Sequence, residues 1–207
     1  MKEYFTLPKE VVANELVIEK SRFICYAKGI DSVEEATEFL SEVKKKNYDA
    51  THNCYAYVCF GKAKFSDDGE PQGTAGQPMY ETLKNSGVDG VVAVVTRYFG
   101  GVKLGAGGLV RAYSAAVADC LKKAGRVEMR ECKKLFVEID YSLLKTVRRA
   151  LEGKAVEESV SYGARVAIEY LILSQSETNI TDIVVEKTGG KAKIVLSEPF
   201  LSQYGES

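Results

Sequence analysis

Apolar and polar positions along the chain alternate in two different rhythms, and the change between them falls near residue 130. In the first part, residues 12–19 (VANELVIE) and 22–30 (RFICYAKGI) are rich in β-forming residues and flank a polar Glu19-Lys20-Ser21 break, which predicts a hairpin. Ser32-x-x-Glu35 has the spacing of a capping box. Val33, Ala36, Phe39, Leu40 and Val43 follow it at helical spacing, up to a basic stop at Lys44-Lys45-Lys46. Residues 54–60 (CYAYVCF) predict a strand, 61–78 a long loop dense in Gly, Pro, Asp and Thr, and Met79–Asn85 a short helix. Val91–Arg97 predicts a buried strand, Gly100–Gly108 a glycine-rich loop, and Leu109–Ala124 a helix closed by Gly125.

After residue 130 the pattern predicts a strand at 135–140, a helix at 141–151, strands at 155–162 and 164–173 around Gly163, a helix at 176–188 stopped by Gly189-Gly190, and a last strand at 191–196. The order β-α-β-β-α-β is that of a ferredoxin-like domain. The expected division is therefore 1–130 and 131–207 within an α+β protein, with no internal sequence repeat.

Composition narrows the function classes. Of 207 residues, 45% are apolar and 28% charged, which fits a globular protein and excludes a disordered tail. Net charge is −1. The two expected domains carry +1 and −2, so any nucleic-acid contact has to come from a local patch rather than from the whole molecule. Five cysteines without a CxxC pair argue against a secreted disulfide framework and for a reducing cytoplasm. Residues 1–16 carry charges throughout and no apolar run, so no secretory signal is expected. The longest aliphatic run, Val91–Val95, is far too short for a membrane span. One histidine, His52, leaves little material for a His-based metal site or hydrolase and reads as a hydrogen-bonded structural residue. Cys25, Cys54 and Cys59 lie in apolar β-rich stretches and read as small core residues.

Two segments concentrate the chemistry. In Asp67-Asp68-Gly69-Glu70-Pro71-Gln72-Gly73-Thr74-Ala75-Gly76-Gln77-Pro78, three carboxylates fall within four residues on a glycine-rich loop. Such a loop can hold a hard cation or share a proton, bind an anion through successive N–H groups, or simply cap the following helix. The second segment runs from Thr96-Arg97-Tyr98-Phe99-Gly100-Gly101-Val102-Lys103-Leu104-Gly105-Ala106-Gly107-Gly108 into a helix through Arg111 and Tyr113. A strand entering a glycine-rich helix N-terminus is a natural phosphate site, with Arg97, Lys103 and Arg111 supplying charge and Tyr98, Phe99 or Tyr113 a ring for a base. The alternative is close packing, in which glycines let the helix approach the sheet and Phe99 and Tyr113 fill core. There is no GK[ST] of a Walker A loop and no acidic residue placed as in a dinucleotide fingerprint.

The segments DDGEPQGTAGQP (67–78) and GVVAVVTRYFGGVKLGAGGLVRAYSAAV (90–117) resemble the signature of the YigZ/IMPACT family. The resemblance covers essentially the whole chain. It implies an N-terminal domain similar to domain 2 of ribosomal protein S5 and a C-terminal ferredoxin-like domain similar to domain V of elongation factor G. Eukaryotic relatives are implicated in regulating translation, and for bacterial members the resemblance implies association with RNA or the ribosome. The motif residues carried over are Asp68, Gly69, Glu70, Pro71, Gly73, Thr74, Ala75 and Gly76, then Arg97, Tyr98, Gly100, Gly101, Lys103, Gly105, Gly107, Gly108 and Arg111. The expected function is a non-enzymatic, cytoplasmic translation regulator without cofactor, metal or catalytic residues. In it Arg97, Lys103 and Arg111 touch phosphate and Tyr98 or Tyr113 stacks on a base. Two rivals stand beside it. One is an enzyme of small-molecule-kinase topology, with phosphate on Gly105–Gly108 and Asp68 or Glu70 as Mg²⁺ holder or base. The other is a protein-docking module built from both loops. No oligomeric state follows from the residues.

Overall fold

A strand whose residues are buried on both faces must lie between two layers, and Val91–Tyr98 is such a strand: Val91, Ala93 and Val95 face one core, Val92 and Val94 another. The computed structural model describes residues 2–204 and resolves into two units. One spans Phe5–Val127, and the other holds Glu128 onward with the N-terminal residues up to Tyr4.

The first unit contains β1 (Tyr4–Thr6, shared with the boundary), β2 (Val12–Ile18), β3 (Ser21–Gly29), α1 (Val33–Lys46), β4 (His52–Cys59), β5 (Lys62–Ser66), α2 (Gly76–Asn85), β6 (Val91–Tyr98) and α3 (Gly105–Ala124). Strands β2 to β6 form an antiparallel sheet in the order β2-β3-β6-β4-β5. Helices α2 and α3 cover one face through Met79, Leu83, Leu109, Ala112, Tyr113, Ala116, Val117 and Cys120, which on α3 recur at the spacing of a single apolar stripe. Helix α1 covers the other face through Ala36, Phe39 and Val43. The Ser32 half of its predicted capping box is present, Ser32 Oγ accepting from the Glu35 N–H at 3.2 Å, while the Glu35 carboxylate reaches one residue further back and accepts from the Asp31 N–H at 3.1 Å.

The second unit contains β7 (Val127–Ile139, beginning at the boundary), α4 (Leu144–Leu151) after a short 3-10 turn, β8 (Val156–Tyr162), β9 (Val166–Leu173), α5 (Glu177–Thr188), β10 (Lys193–Leu196) and β11 (Phe200–Gln203). Strand β9 lies between β7 and β8, all antiparallel. β10 pairs with β7 opposite β9, since Leu135 meets both Tyr170 and Leu196. Val147 and Leu151 of α4 and Ile180 and Val184 of α5 close its core.

Several boundaries differ from the pattern-based expectation, among them that of β7, which starts at Val127 rather than Leu135. The segment 61–78 is not one long loop: Lys62–Ser66 forms β5, an exposed edge strand whose lysines hide the alternation. Helix α2 starts at Gly76, ahead of Pro78, because a proline in the first turn gives up an N–H that has no intrahelical acceptor there. Helix α3 starts at Gly105, four residues earlier than Leu109, so half of the expected glycine loop is helix.

All five cysteines are free and buried. Burial pushes the Cys54 thiol up to about 12, aided by the nearby carboxylates and only partly offset by the Tyr113 hydroxyl. We expect no fast-reacting thiol in the native protein and five after denaturation in urea, counted with an aromatic disulfide reagent; a thiol that reacts natively within seconds would show that one of these strands opens readily.

Candidate functional site

The two signature segments meet through one buried carboxylate. Strand parity along β6 carries Arg97 to the same face as Val91, Ala93 and Val95, beneath α3. There Arg97 Nη1 donates to Glu70 Oε1 at 2.6 Å, and the Tyr113 hydroxyl donates to the same oxygen at 2.7 Å. Glu70, Arg97 and Tyr113 are all buried. The guanidinium lies 5.2 Å from the Phe23 ring centre and 5.5 Å from that of Phe99, so aromatic faces replace part of its lost hydration. Burial above all, with Cys54 and Glu70 beside it, pushes the Tyr113 hydroxyl far above its ordinary value, which keeps it a proton donor to Glu70. His52 lies alongside, its Nδ1–H donating to the Asp68 carbonyl at 2.8 Å and its Nε2 3.8 Å from Glu70.

The other two carboxylates organise the loop. Asp67 Oδ1 accepts from the N–H groups of Ala75 (3.0 Å) and Gly76 (2.8 Å), and its Oδ2 from Gly73 (2.8 Å). It thereby caps α2 from nine residues away, where the cap residue Ala75 has no side chain for the purpose. Gly76 is required at this contact, since a Cβ there would fall 2.6 Å from the Ser66 backbone. Asp68 takes a left-handed conformation (φ +46°), which turns its carboxylate to Lys44 Nζ at 2.7 Å and the Asn53 N–H at 2.7 Å. Burial alone would raise the Asp68 carboxyl, but Lys44 and the Asn53 N–H outweigh it and hold it below its ordinary value. All three carboxylates are thus engaged inside the fold. The two carboxylates that the enzyme rival assigns to Mg²⁺ or to a base are thus paired here with Lys44 and the Asn53 N–H, for Asp68, and with Arg97 and Tyr113, for Glu70.

Two expected contact residues need correction. Arg97 and Tyr113 were read as reaching a phosphate and a base, but they are buried and bound to Glu70. They position the site from below. Tyr98 is half-buried, hydrogen-bonded to Asp49 at 3.2 Å and covered on its ring by Arg22 at 5.5 Å. In the first loop, Gly69 and Pro71 are exposed, Gly73 is half-buried, and Thr74 is buried with its hydroxyl donating to the Pro71 carbonyl at 2.6 Å. The residues that do reach solvent in the second segment are Phe99 (48% exposed), Gly101, Val102, Lys103, Gly105, Ala106, Gly107, Val110 and Arg111, with Gly100 and Gly108 half-buried.

Ser21, which the sequence pattern did not single out, holds the second segment from the hairpin. Its hydroxyl accepts from the Gly100 N–H at 3.1 Å and lies 3.4 Å from Arg97 Nη2. It sits just after a tight turn whose Glu19 and Lys20 both have positive φ. Gly100 rests on that turn so closely that a Cβ would fall 2.0 Å from the Lys20 carbonyl carbon. The close packing places the start of α3 at the surface. That end has no side-chain cap and no acidic residue in its first turn, while the Arg111 guanidinium curls back over Gly107, 3.5 Å from where a Cβ would stand.

Fold and site together define a mixed α/β protein of two antiparallel sheets, with a glycine-lined helix start held over a buried Glu–Arg–Tyr cluster. Residues 19–121 match the Impact N-terminal domain. The chain is 42% identical over 195 residues to the IMPACT family member YvyE of Bacillus subtilis (strain 168), covering 92% of this chain and 89% of that protein. The chain belongs to the IMPACT family. It is also similar to an IMPACT family member of Haemophilus influenzae, 40% identical over 208 residues with 96% and 98% covered, and to YigZ of Escherichia coli (strain K12), 37% identical over 162 residues with 74% and 79% covered. A solved structure described as that of a hypothetical protein superposes with a TM-score of 0.61 at 31% identity, covering 94% of this chain and 97% of that one. No helix among the described residues is long and apolar enough to cross a membrane.

Proposed function

We propose that this protein is a non-enzymatic regulator of translation that associates with RNA or the ribosome through the start of α3. On this reading the first unit is similar to domain 2 of ribosomal protein S5. The second is ferredoxin-like, its strand order β10-β7-β9-β8 matching the β-α-β-β-α-β topology, and similar to domain V of elongation factor G.

The observation that carries the proposal is an electrostatic mismatch. A helix N-terminus presents unpaired N–H groups and partial positive charge, which acidic side chains ordinarily neutralise. At α3 none does, and Lys103 and Arg111, neither in an ion pair among the described residues, add cations to the same end. Three positive features converging on exposed glycines are satisfied together by a phosphate. Phe99 offers an exposed ring beside them for a base. Arg97 supports the reading only indirectly, by holding the loop from inside.

The test is co-sedimentation with ribosomes at graded salt, comparing wild type with Lys103→Glu/Arg111→Glu. Each phosphate contact contributes roughly 0.7–0.9 to the slope of log affinity against log salt, so the variant is expected to bind at least about tenfold more weakly with a slope shallower by about 1.5. Absence of sedimentation by wild type at low salt overturns the proposal, as does capture that resists nuclease and is unaffected by the two substitutions.

A further inference from the structure

The second unit carries its own cleft, lined by none of the residues of the candidate site. It opens between α4 and the β8–β9 hairpin with a volume of about 700 Å³, within the size range of small-molecule sites. Leu144, Leu151 and Ala155 form an apolar side. Lys145, Arg148 and Arg149 line its basic edge, and Glu152 and Glu157 are the acidic residues that face them.

Tyr170 lines the cleft and is 2% exposed, and its hydroxyl has no hydrogen-bond partner among the described residues. Buried hydroxyls are nearly always bonded, so one left unbonded on a residue that lines a cleft marks a missing partner. The position of that hydroxyl follows from its neighbours. Tyr170 pairs across the strands with Glu157, and Glu157 is held by both Arg148 Nε at 2.8 Å and Nη2 at 2.6 Å. Burial and then the Glu157 carboxylate push the phenol up to about 12, with Arg148 opposing, which agrees with a hydroxyl beside that charged edge.

Arg148 is neutralised by Glu157, but Lys145 and Arg149 are not engaged in ion pairs among the described residues. They stand four residues apart on α4, a spacing at which like charges repel unless an anion comes between them. At the mouth, Tyr141 is 53% exposed and stacked on Tyr162 with ring centres 6.3 Å apart. Its hydroxyl donates to the Gly163 carbonyl at 2.8 Å, which fixes the ring as a flat wall.

We infer that this cleft binds a planar organic anion of nucleoside monophosphate size. Its ring lies against Tyr141 and the apolar side, its phosphate bridges Lys145 and Arg149, and its seating opens the sealed Tyr170 hydroxyl to a polar ring atom. Each part of that ligand answers a separate feature: the flat wall, the unbonded hydroxyl and the two unneutralised cations.

The experiment is calorimetric titration of the full chain with AMP and UMP, and with ribose 5-phosphate as the anion lacking a ring. Saturable nucleotide binding is expected with Kd below about 1 mM, reduced at least about tenfold in Lys145→Glu/Arg149→Glu and about fivefold in Tyr170→Phe. Tyr170→Phe removes only an unbonded hydroxyl, so it should fold as well as wild type and isolates the ligand contact from stability. Lys103→Glu/Arg111→Glu should titrate like wild type, which separates this cleft from the start of α3. No saturation up to about 10 mM nucleotide overturns the inference. So does equal binding of ribose 5-phosphate, or binding that is lost with Lys103 and Arg111 instead.

Discussion

Glu70→Ala is expected to destabilise the first unit by about 3–5 kcal/mol, because it leaves the Arg97 charge buried without its partner. The side chains of Arg97 and Glu70 are 6% and 3% exposed, so water cannot replace the lost carboxylate without opening the structure. The Tyr113 hydroxyl loses its acceptor in the same step. Glu70→Gln keeps an oxygen for both donors but not the charge, and should fall between wild type and alanine. Glu70→Leu combined with Arg97→Met should recover much of the loss, since an apolar pair removes both desolvation costs. The measurement is hydrogen exchange of the β6 amides across a urea series, which reports on this unit without assuming that both units unfold together. A loss below about 1 kcal/mol in Glu70→Ala would mean that the guanidinium finds water or another acceptor, and the cluster would not be the support proposed here.

Asp67→Ala should be the next most damaging change. It removes the acceptor of three N–H groups, of which those of Ala75 and Gly76 belong to buried residues with no other route to solvent. At about 1–3 kcal/mol for each buried donor left unpaired, the expected cost is about 3 kcal/mol. Asp67→Asn retains one oxygen for Ala75 and Gly76 but turns an N–H₂ toward the Gly73 N–H, and should lose roughly half as much. Urea unfolding followed through α2 amide exchange checks both. Equal losses in Asn and Ala would show that the carboxylate serves the loop mainly through its charge rather than as an acceptor. In either Asp67 variant, looser loop packing should also weaken ribosome association more than melting at the assay temperature accounts for, if the start of α3 is the contact.

Much of this was readable in advance, and the exceptions have physical causes. The apolar stripe Leu109, Ala112, Ala116, Val117, Cys120 also includes Tyr113, so its burial was present in the helical spacing. The parity of Val91, Ala93 and Val95 likewise extends to Arg97. What hid both was their residue type: an arginine and a tyrosine beside a glycine loop look like ligand contacts until a partner is known. Lys44, part of the basic stop of α1, pairs with Asp68 24 residues on, a partner that no local spacing reveals. Strand β5 was missed because an exposed edge strand of alternating lysines carries no apolar period, and the four residues of β11 are too few to show one.

The sequence by itself determined most of the elements and their types, the change of rhythm near residue 130, the Ser32 cap of α1, and the two segments that carry the family signature. These depend on neighbours a few residues apart, where spacing and turn chemistry are decisive. Only the tertiary structure decided which charges are available. Glu70 lies 27 residues from Arg97 and 43 from Tyr113, and Asp67 reaches an α2 terminus nine residues on. Whether a cation faces solvent or a buried carboxylate is set by desolvation and pairing across such distances, and no local pattern encodes it. For that reason Arg97 lies inside, while Lys103 and Arg111 stand at the surface.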